Sequence, residues 1–409
     1  MDISFWQFPL SVILSLFYTV GVYFLWKYLP HRAFRSFLTG RIICIISLVV
    51  TVVMSVIGGI WGFPIHRNPV LWAASLMMLL SLEFDILNGF KRKGNIARTV
   101  CHTGMFLILF GAFWGAPDII DSQIVISSES KENTAFANDG RFVSLPFTIS
   151  LVEFRTDYYN DGISPKQFSS ILDIDGRRCK TSVNHPYRYK GYWIYQSDYD
   201  HDRGSYSVLK LVRDRWLPFV YAGMLLLAAG AFLRLKGDWD SRYLIVAIAV
   251  ISVLFTVLSI ARINFGTLMP ALRSWWFIPH IVLYMIAYSS LALSCLFGIL
   301  NIAGFRPERT WTVSLRLFNT ASSLLLLGMI CGAVWAKSVW GDWWTWDAKE
   351  CWAAVTWLFT ICGTHLPAGM HNRNAAVLVC ILLSFLAMQI AWYGVDYLPA
   401  AQLSIHTYK

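Results

Sequence analysis

The sequence predicts an α-helical polytopic membrane protein of about ten transmembrane helices, with a small antiparallel β domain on the extracytoplasmic face. Three observations carry this. The 409 residues are 56% hydrophobic, 16% aromatic and only 14% charged, too apolar and aromatic for an ordinary soluble domain. Apolar runs of about 17–25 residues, enough to cross a bilayer as a helix, recur ten times. One polar, β-rich stretch, 117–215, interrupts them.

The runs fall at roughly 9–29, 42–62, 70–89, 99–116, 216–235, 243–261, 277–302, 317–336, 351–366 and 375–395. No basic residue precedes the first and no small-residue cleavage site follows it, so it reads as a retained helix and not a signal peptide. The expected division is 1–116 for helices one to four, 117–215 for the β domain, 216–241 for helix five and its loop, and 242–409 for a C-terminal transmembrane domain.

Charge orients the chain. Fifteen basic residues follow the odd-numbered helices, among them Lys91, Arg98, Arg234, Arg306 and Arg373, against six in the alternate short loops and the tail. The positive-inside rule places the fifteen in the cytoplasm and puts both termini and 117–215 outside. The net charge of +10 is then topology and needs no nucleic acid, because 117–215 is nearly neutral with thirteen basic and fourteen acidic residues. Eight cysteines include no CxxC and no CxxCH, which argues against a disulfide framework, a zinc site or covalent haem carried by the chain itself.

From 124 to 214 short β-rich runs follow one another, and Asp175-Gly176 is a two-residue hairpin turn. About six strands are expected. Within them NHPYRYKGYWIYQSDYD, 184–200, resembles the periplasmic domain of ResB-type proteins of System II cytochrome c biogenesis, where Asn-x-Pro leads into Gly-Tyr-x-Ile-Tyr-Gln.

Nine histidines sort by depth. His102, one turn after Arg98, and His365, eighteen residues past Asp347, lie near the cytoplasmic ends of different helices. His280 opens helix seven at its outer end, and His406 is in the outer tail. Each alone also fits a helix-packing or exposed histidine. His185, His201, His31, His66 and His371 read as loop residues, with His371 standing in for His365 if Pro367 ends the helix early. Two neutral imidazoles can hold a haem iron from both faces. An aromatic surface can lie against the porphyrin while Lys or Arg meets its propionates.

Between the outer two histidines in sequence lies WGDWWTWDAKE, 340–350, with four tryptophans in seven positions. It resembles the WWD motif of the haem-handling proteins CcsA, CcmC and CcmF, and the whole chain resembles a compact fused CcsB–CcsA cytochrome c synthase. The ResB-like part covers roughly 40–235 and the CcsA-like part 240–409. The resemblance implies haem transport across the bacterial inner membrane and attachment of haem vinyls to the CxxCH thiols of apocytochrome c on the periplasmic side. A thiol-disulfide reductant protein and membrane lipid are further implied partners.

In that family His102 and His365 would ligate haem b at an inner site, and His280 and His406 at an outer one. Trp340, Gly341, Trp343, Trp344, Trp346, Asp347, Lys349 and Glu350 would form the platform. Trp343, Trp344, Trp346 and Asp347 would act with the outer histidines in catalysis, Asp347 as a loop anchor, through Lys349. The chain departs from the family in three ways. His365 lacks the Arg expected two residues on, leaving Arg98 or Arg373 for a propionate; helix one is additional; and the outer domain is reduced. The alternative is a haem exporter or chaperone that forms no thioether bond, against which the ResB-like segment argues. A bis-histidine quinol-oxidising cytochrome would need paired histidines at heptad-like offsets, and the sequence has none.

Overall fold

A computed structural model describes residues 6–28, 41–62, 68–92, 95–137, 140–201, 203–238, 267–367 and 369–403, with isolated positions at 249, 252, 253 and 257. Most of the sixth apolar run, together with His31, His66 and His406, lies outside the described residues. Nine long helices stand at the other nine runs: α1 Leu10–Tyr28, α2 Arg41–Trp61, α3 Pro69–Arg92, α4 Ile96–Gly115, α5 Leu217–Asp238, α6 Phe277–Ile302, α7 Pro307–Trp340, α8 Ala348–His365 and α9 Arg373–Gln389. Eight helices among the described residues are long and apolar enough to cross a membrane. The exception is α8, whose 18 residues include Lys349, Glu350, His365 and three threonines.

Between α4 and α5 the chain forms β1 Ile120–Ser127, β2 Glu132–Ala137, β3 Phe142–Tyr158, β4 Pro165–Ile174, β5 Arg177–Ser182, β6 Tyr187–Tyr189, β7 Tyr192–Tyr199 and β8 Tyr206–Arg213. They make one antiparallel sheet in the order β5-β4-β3-β2-β1-β8-β7-β6. The expected count of about six misses β2 and β6. β2 turns only Ala135 and Ala137 inward, too small to register as a hydrophobic alternation, and β6 has three residues. Ile126, Ile149, Leu172, Ile194, Leu209 and Leu211 fill one face. After β5 the chain turns through an antiparallel bridge between Ser182 and His185, and Thr181 Oγ1 donates to Ile194 O of β7 at 2.7 Å.

The turn Asp175-Gly176 joins β4 to β5 with φ of 48° and 79°, the left-handed values of a two-residue hairpin. Lys190 Nζ donates to Asp175 Oδ2 at 2.9 Å, and Thr148 N donates to Oδ1 at 2.9 Å. These bonds hold the Asp175 carboxyl well below the usual carboxylate range.

Where the β domain meets the helices, Asp118 accepts hydrogen bonds from Phe8 N, Ser11 Oγ and Trp216 Nε1. One carboxylate therefore ties the start of α1 to both connections of the β domain. At its other end α1 reaches α3 through Trp26 Nε1 and Asn88 Oδ1, 3.0 Å.

The helices pack as apolar partners do in lipid, through small residues and hydroxyls. α6 and α7 form an antiparallel hairpin in which Ser294 and Ser314 each donate to the other's carbonyl, at 2.9 and 2.8 Å. α4 and α5 meet at glycines. A Cβ on Gly104 would lie 2.5 Å from Leu227 N and 2.7 Å from Gly223 O, both backbone atoms that no rotamer change can move. Gly104→Val should therefore prise α4 from α5 and lower stability by at least the ~1–3 kcal/mol of core overpacking. Thermal unfolding in detergent checks this, with Gly21→Ala as the control, since nothing lies within 4 Å of Gly21.

Candidate functional site

The tryptophan motif begins where α7 stops. Gly341 closes α7 at φ 82°, its N–H on Lys337 O. A Cβ there would sit 3.0 Å from Val212 Cγ2 of β8 and 3.1 Å from Tyr195 Cε2 of β7. Glycine is needed twice over, for the left-handed turn and for the approach of the sheet. Lys337, buried in the last turn of α7, donates from Nζ to Gly341 O at 2.6 Å.

The sheet also grips the motif by charge. Lys210 of β8 pairs with Asp342 and, at 3.2 Å, with Asp121. Burial works against the Lys210 charge, but the Asp342 and Asp121 carboxylates outweigh it and raise the lysine above its ordinary value. Burial pushes the carboxyls of Asp121 and Asp214 up. The β domain and the tryptophan loop thus share a half-buried ionic cluster.

Asp347 is the N-cap of α8. Its side chain accepts from the backbone of Lys349 and Glu350, and Glu350 accepts back from Asp347 N in a capping box. The anchor expected from Lys349 acts through its main-chain N–H, 2.8 Å from Asp347 Oδ1. Glu350 Oε2 also takes the amide of Thr345 at 2.7 Å. Trp346, just before the cap, has φ 61°, a left-handed conformation that costs a bulky side chain of order 1–3 kcal/mol.

The indoles of the motif do not lie in one plane. Trp344 and Trp346 meet at 84° with centroids 5.9 Å apart. Trp343 meets Tyr221 of α5 edge-on at 5.0 Å and has Lys337 Nζ 5.7 Å from its centre. Trp340 packs on Trp335, and Trp346 dips among Met54, Leu71 and Cys351. The motif forms a folded lining, because the left-handed residue at 346 and the cap at 347 turn the chain sharply. Trp343 Nε1 and Trp344 Nε1 are buried with no hydrogen-bond partner among the described residues, two donors left for an acceptor on a ligand.

His280 sits in the first turn of α6. Its Nδ1 lies 2.8 Å from Gly328 O of α7. A carbonyl only accepts, so Nδ1 carries the proton and the Nε2 lone pair is the one a metal would meet. The ring packs against Trp335, 5.8 Å, which in turn meets Trp340, so His280 joins the motif through that pair of indoles. Its expected counterpart, His406, is outside the described residues.

At the opposite end of α8 the structure brings His102 of α4 and His365 together, ring centres 6.0 Å apart and planes 23° apart. An imidazole nitrogen sits about 2 Å from a bound transition metal and the ring centre about 1 Å further back, so one iron held from both sides would separate the centroids by about 6 Å. His102 Nδ1 is 2.7 Å from Asp85 Oδ2, and His365 Nδ1 is 2.9 Å from Ile361 O. Both partners accept, which again leaves Nε2 as the ligand atom on each ring.

A cavity of about 760 Å³ surrounds the pair, lined by α2, α3, α4, α5, α7, α8 and the start of α9 and within the ~300–1,000 Å³ of cofactor sites. Arg98, Arg234 and Arg373 line it together with both histidines, and Trp346 lines it as well. One space thus runs from the histidine pair to the tryptophan motif. Cavity, Nε2 atoms and arginines all fit a metalloporphyrin carrying carboxylates.

Asp85, Arg234, Lys337 and Lys210 escape a reading centred on histidine and tryptophan. Asp85 had a signal, a carboxylate inside an apolar run. Arg234 counted as a topological charge, and Lys210 lay in an unremarkable strand.

Comparison with known proteins divides the chain in two. Residues 217–401 match the family described as cytochrome C assembly protein, and residues 88–208 match the ResB-like family. A cytochrome c biogenesis protein CcsA of Prochlorococcus marinus (strain AS9601) is 30% identical over 180 residues, 35% of this chain and 57% of that protein. CcsA proteins of Chlamydomonas reinhardtii and Guillardia theta are 32% and 28% identical, over 40% and 56% of their own lengths. The chain thus spans about half the length of these relatives. His102 falls in the ResB-like segment and His365 in the other.

Lys210→Met should lower stability by about 1.5–3 kcal/mol, the worth of hydrogen bonds to a charged group. The folded-state pKa of Lys210 is raised, so its contribution is whole below the unfolded value of about 10.4 and is lost as pH climbs through the folded one. The Tm gap between wild type and Lys210→Met should hold steady from neutral pH to about 10 and close above it. Asp347→Ala, losing the cap, should cost about 1 kcal/mol.

Proposed function

We propose that this chain, in which a segment matching the ResB-like family and one matching the cytochrome C assembly family share one polypeptide, moves haem b across the bacterial cytoplasmic membrane and joins its vinyls to the CxxCH thiols of apocytochrome c. The observation that carries this reading is the pair His102 and His365, 6.0 Å apart between the two segments. The positive-inside bias puts that pair toward the cytoplasm and the tryptophan motif toward the periplasm.

Haem enters the inner site under the two imidazoles. Arg98, Arg234 and Arg373, all on the cavity wall, meet the propionates, guanidinium forks being suited to carboxylates. They take the place of the Arg that resembling proteins carry after His365. Eighteen residues of α8 at about 1.5 Å each span about 27 Å, nearly the ~30 Å hydrocarbon core, so one haem cannot serve both ends and a second site is required.

That site lies at the tryptophan motif, with His280 and His406 as iron ligands. Trp343, Trp344 and Trp346 orient the ring, and the sharp turn fixed by Asp347 and Glu350 holds their positions. There each CxxCH thiol adds across a vinyl, sulfur to one carbon and hydrogen to the other, and the cytochrome's own His replaces one imidazole. No electrons are exchanged, so the step needs reduced thiols and hence an extracytoplasmic thiol-disulfide reductant. The protein supplies position and iron ligation, and the porphyrin supplies the reactive carbons.

Membranes containing the chain should show a bis-histidine haem b spectrum. His280→Ala and His406→Ala should each weaken it by loss of one ligand, and added imidazole should restore it. Co-expression with a secreted CxxCH apocytochrome should yield covalently bound haem. Haem held without covalent product identifies an exporter instead, and membranes with no haem overturn the reading.

A further inference from the structure

The two inner histidines are not equivalent, and the difference lies behind the rings. His102 Nδ1 meets a carboxylate, Asp85 Oδ2, at 2.7 Å. Arg98 Nε lies 3.8 Å from the same oxygen and stabilises its charge. His365 Nδ1 meets a neutral main-chain carbonyl, Ile361 O, at 2.9 Å, with Thr364 Oγ1 at 3.2 Å. A hydrogen bond to an ionised acceptor is about twice as strong as one between neutral groups, and a carboxylate behind a metal-binding imidazole fixes its orientation and raises its basicity. Asp85 stands on α3 and His102 on α4, so their contact also locks the pair of helices that carries one ligand. The bond behind His365 is made within its own helix.

Resting on the reading of this pair as a haem site, we infer that Asp85 is a positioning residue that strengthens His102 as the iron ligand kept until last, and that His365 is the ligand that lets go first. A carrier needs such a difference. Two equally strong ligands would have to break at the same time for haem to leave, whereas one weaker ligand lets the iron depart in steps. His365 is the last residue of α8, the helix whose other end carries the tryptophan motif.

The test uses the purified full chain loaded with haem, in a His280→Ala, His406→Ala background that removes both proposed outer ligands, so that the inner haem is read. The midpoint potential of that haem is measured for Asp85, Asp85→Asn and Asp85→Glu. Weakening the bond behind His102 removes electron donation that favours ferric iron. Asp85→Asn should therefore raise the potential, a tenfold change in the ferric-to-ferrous affinity ratio being about 59 mV for one electron. It should also weaken haem retention about 10–100-fold, and Asp85→Glu should recover most of both.

Independently of any change at Asp85, His365→Gly should retain more haem than His102→Gly and show a five-coordinate spectrum. An unmoved potential in Asp85→Asn, or equal retention by the two glycine variants, overturns the inference. A parent chain that binds no haem defeats the site reading itself, which separates the two failures.

Discussion

The close approach of His102 and His365 requires two helices from different segments of the chain to be held at a fixed spacing inside an apolar medium. α4 is fixed by its glycine contact with α5 and, through His102, by Asp85 of α3. α8 is fixed by α2, where Trp352 Nε1 reaches Gly59 O at 3.3 Å and a Cβ on Gly59 would touch the same indole. Polar atoms have no water to fall back on among lipid-facing helices, so each of these side-chain bonds also fixes a helix. The cavity exists because those helices stand apart around a pair of rings that no apolar side chain fills.

α8 links the chemistry at its two ends. Its N-terminus carries the capping box of Asp347 and Glu350, and its C-terminus presents His365. Trp346, held in a left-handed turn just ahead of the cap, enters the same cavity that His365 lines. Strain at such a position persists only where the surroundings enforce it. Here the enforcement comes from the cap below and from the packing of Trp346 against α2 and α3 residues Met54 and Leu71.

The β domain belongs to the same mechanical system. Its entry and exit are tied to α1 through Asp118, and β8 holds Asp342 through Lys210. A contact of this kind does more for geometry than for stability, since desolvation cancels much of the Coulomb attraction of half-buried charges. Its consequence is that the tryptophan loop takes its position from the sheet as well as from the helices it connects.

The hydropathy runs, the charge bias, the Asp175-Gly176 turn and the WWD motif were legible in the sequence, because each is a local pattern whose physics acts over a few residues or one bilayer crossing. The capping box was equally local, readable as Asp-x-x-Glu before an apolar run. β2 stayed hidden because alanines fill its inward positions. The pairing of His102 with His365 was an expectation of the family resemblance, but tertiary structure alone decided that Asp85 stands behind His102, that Arg234 joins Arg98 and Arg373, and that Lys210 reaches Asp342. Those partners are 17 to 263 positions apart in the chain, and a spacing so long carries no periodicity. Only the packing of helices, set by glycine contacts and the shape of apolar faces, brings such residues within bonding distance.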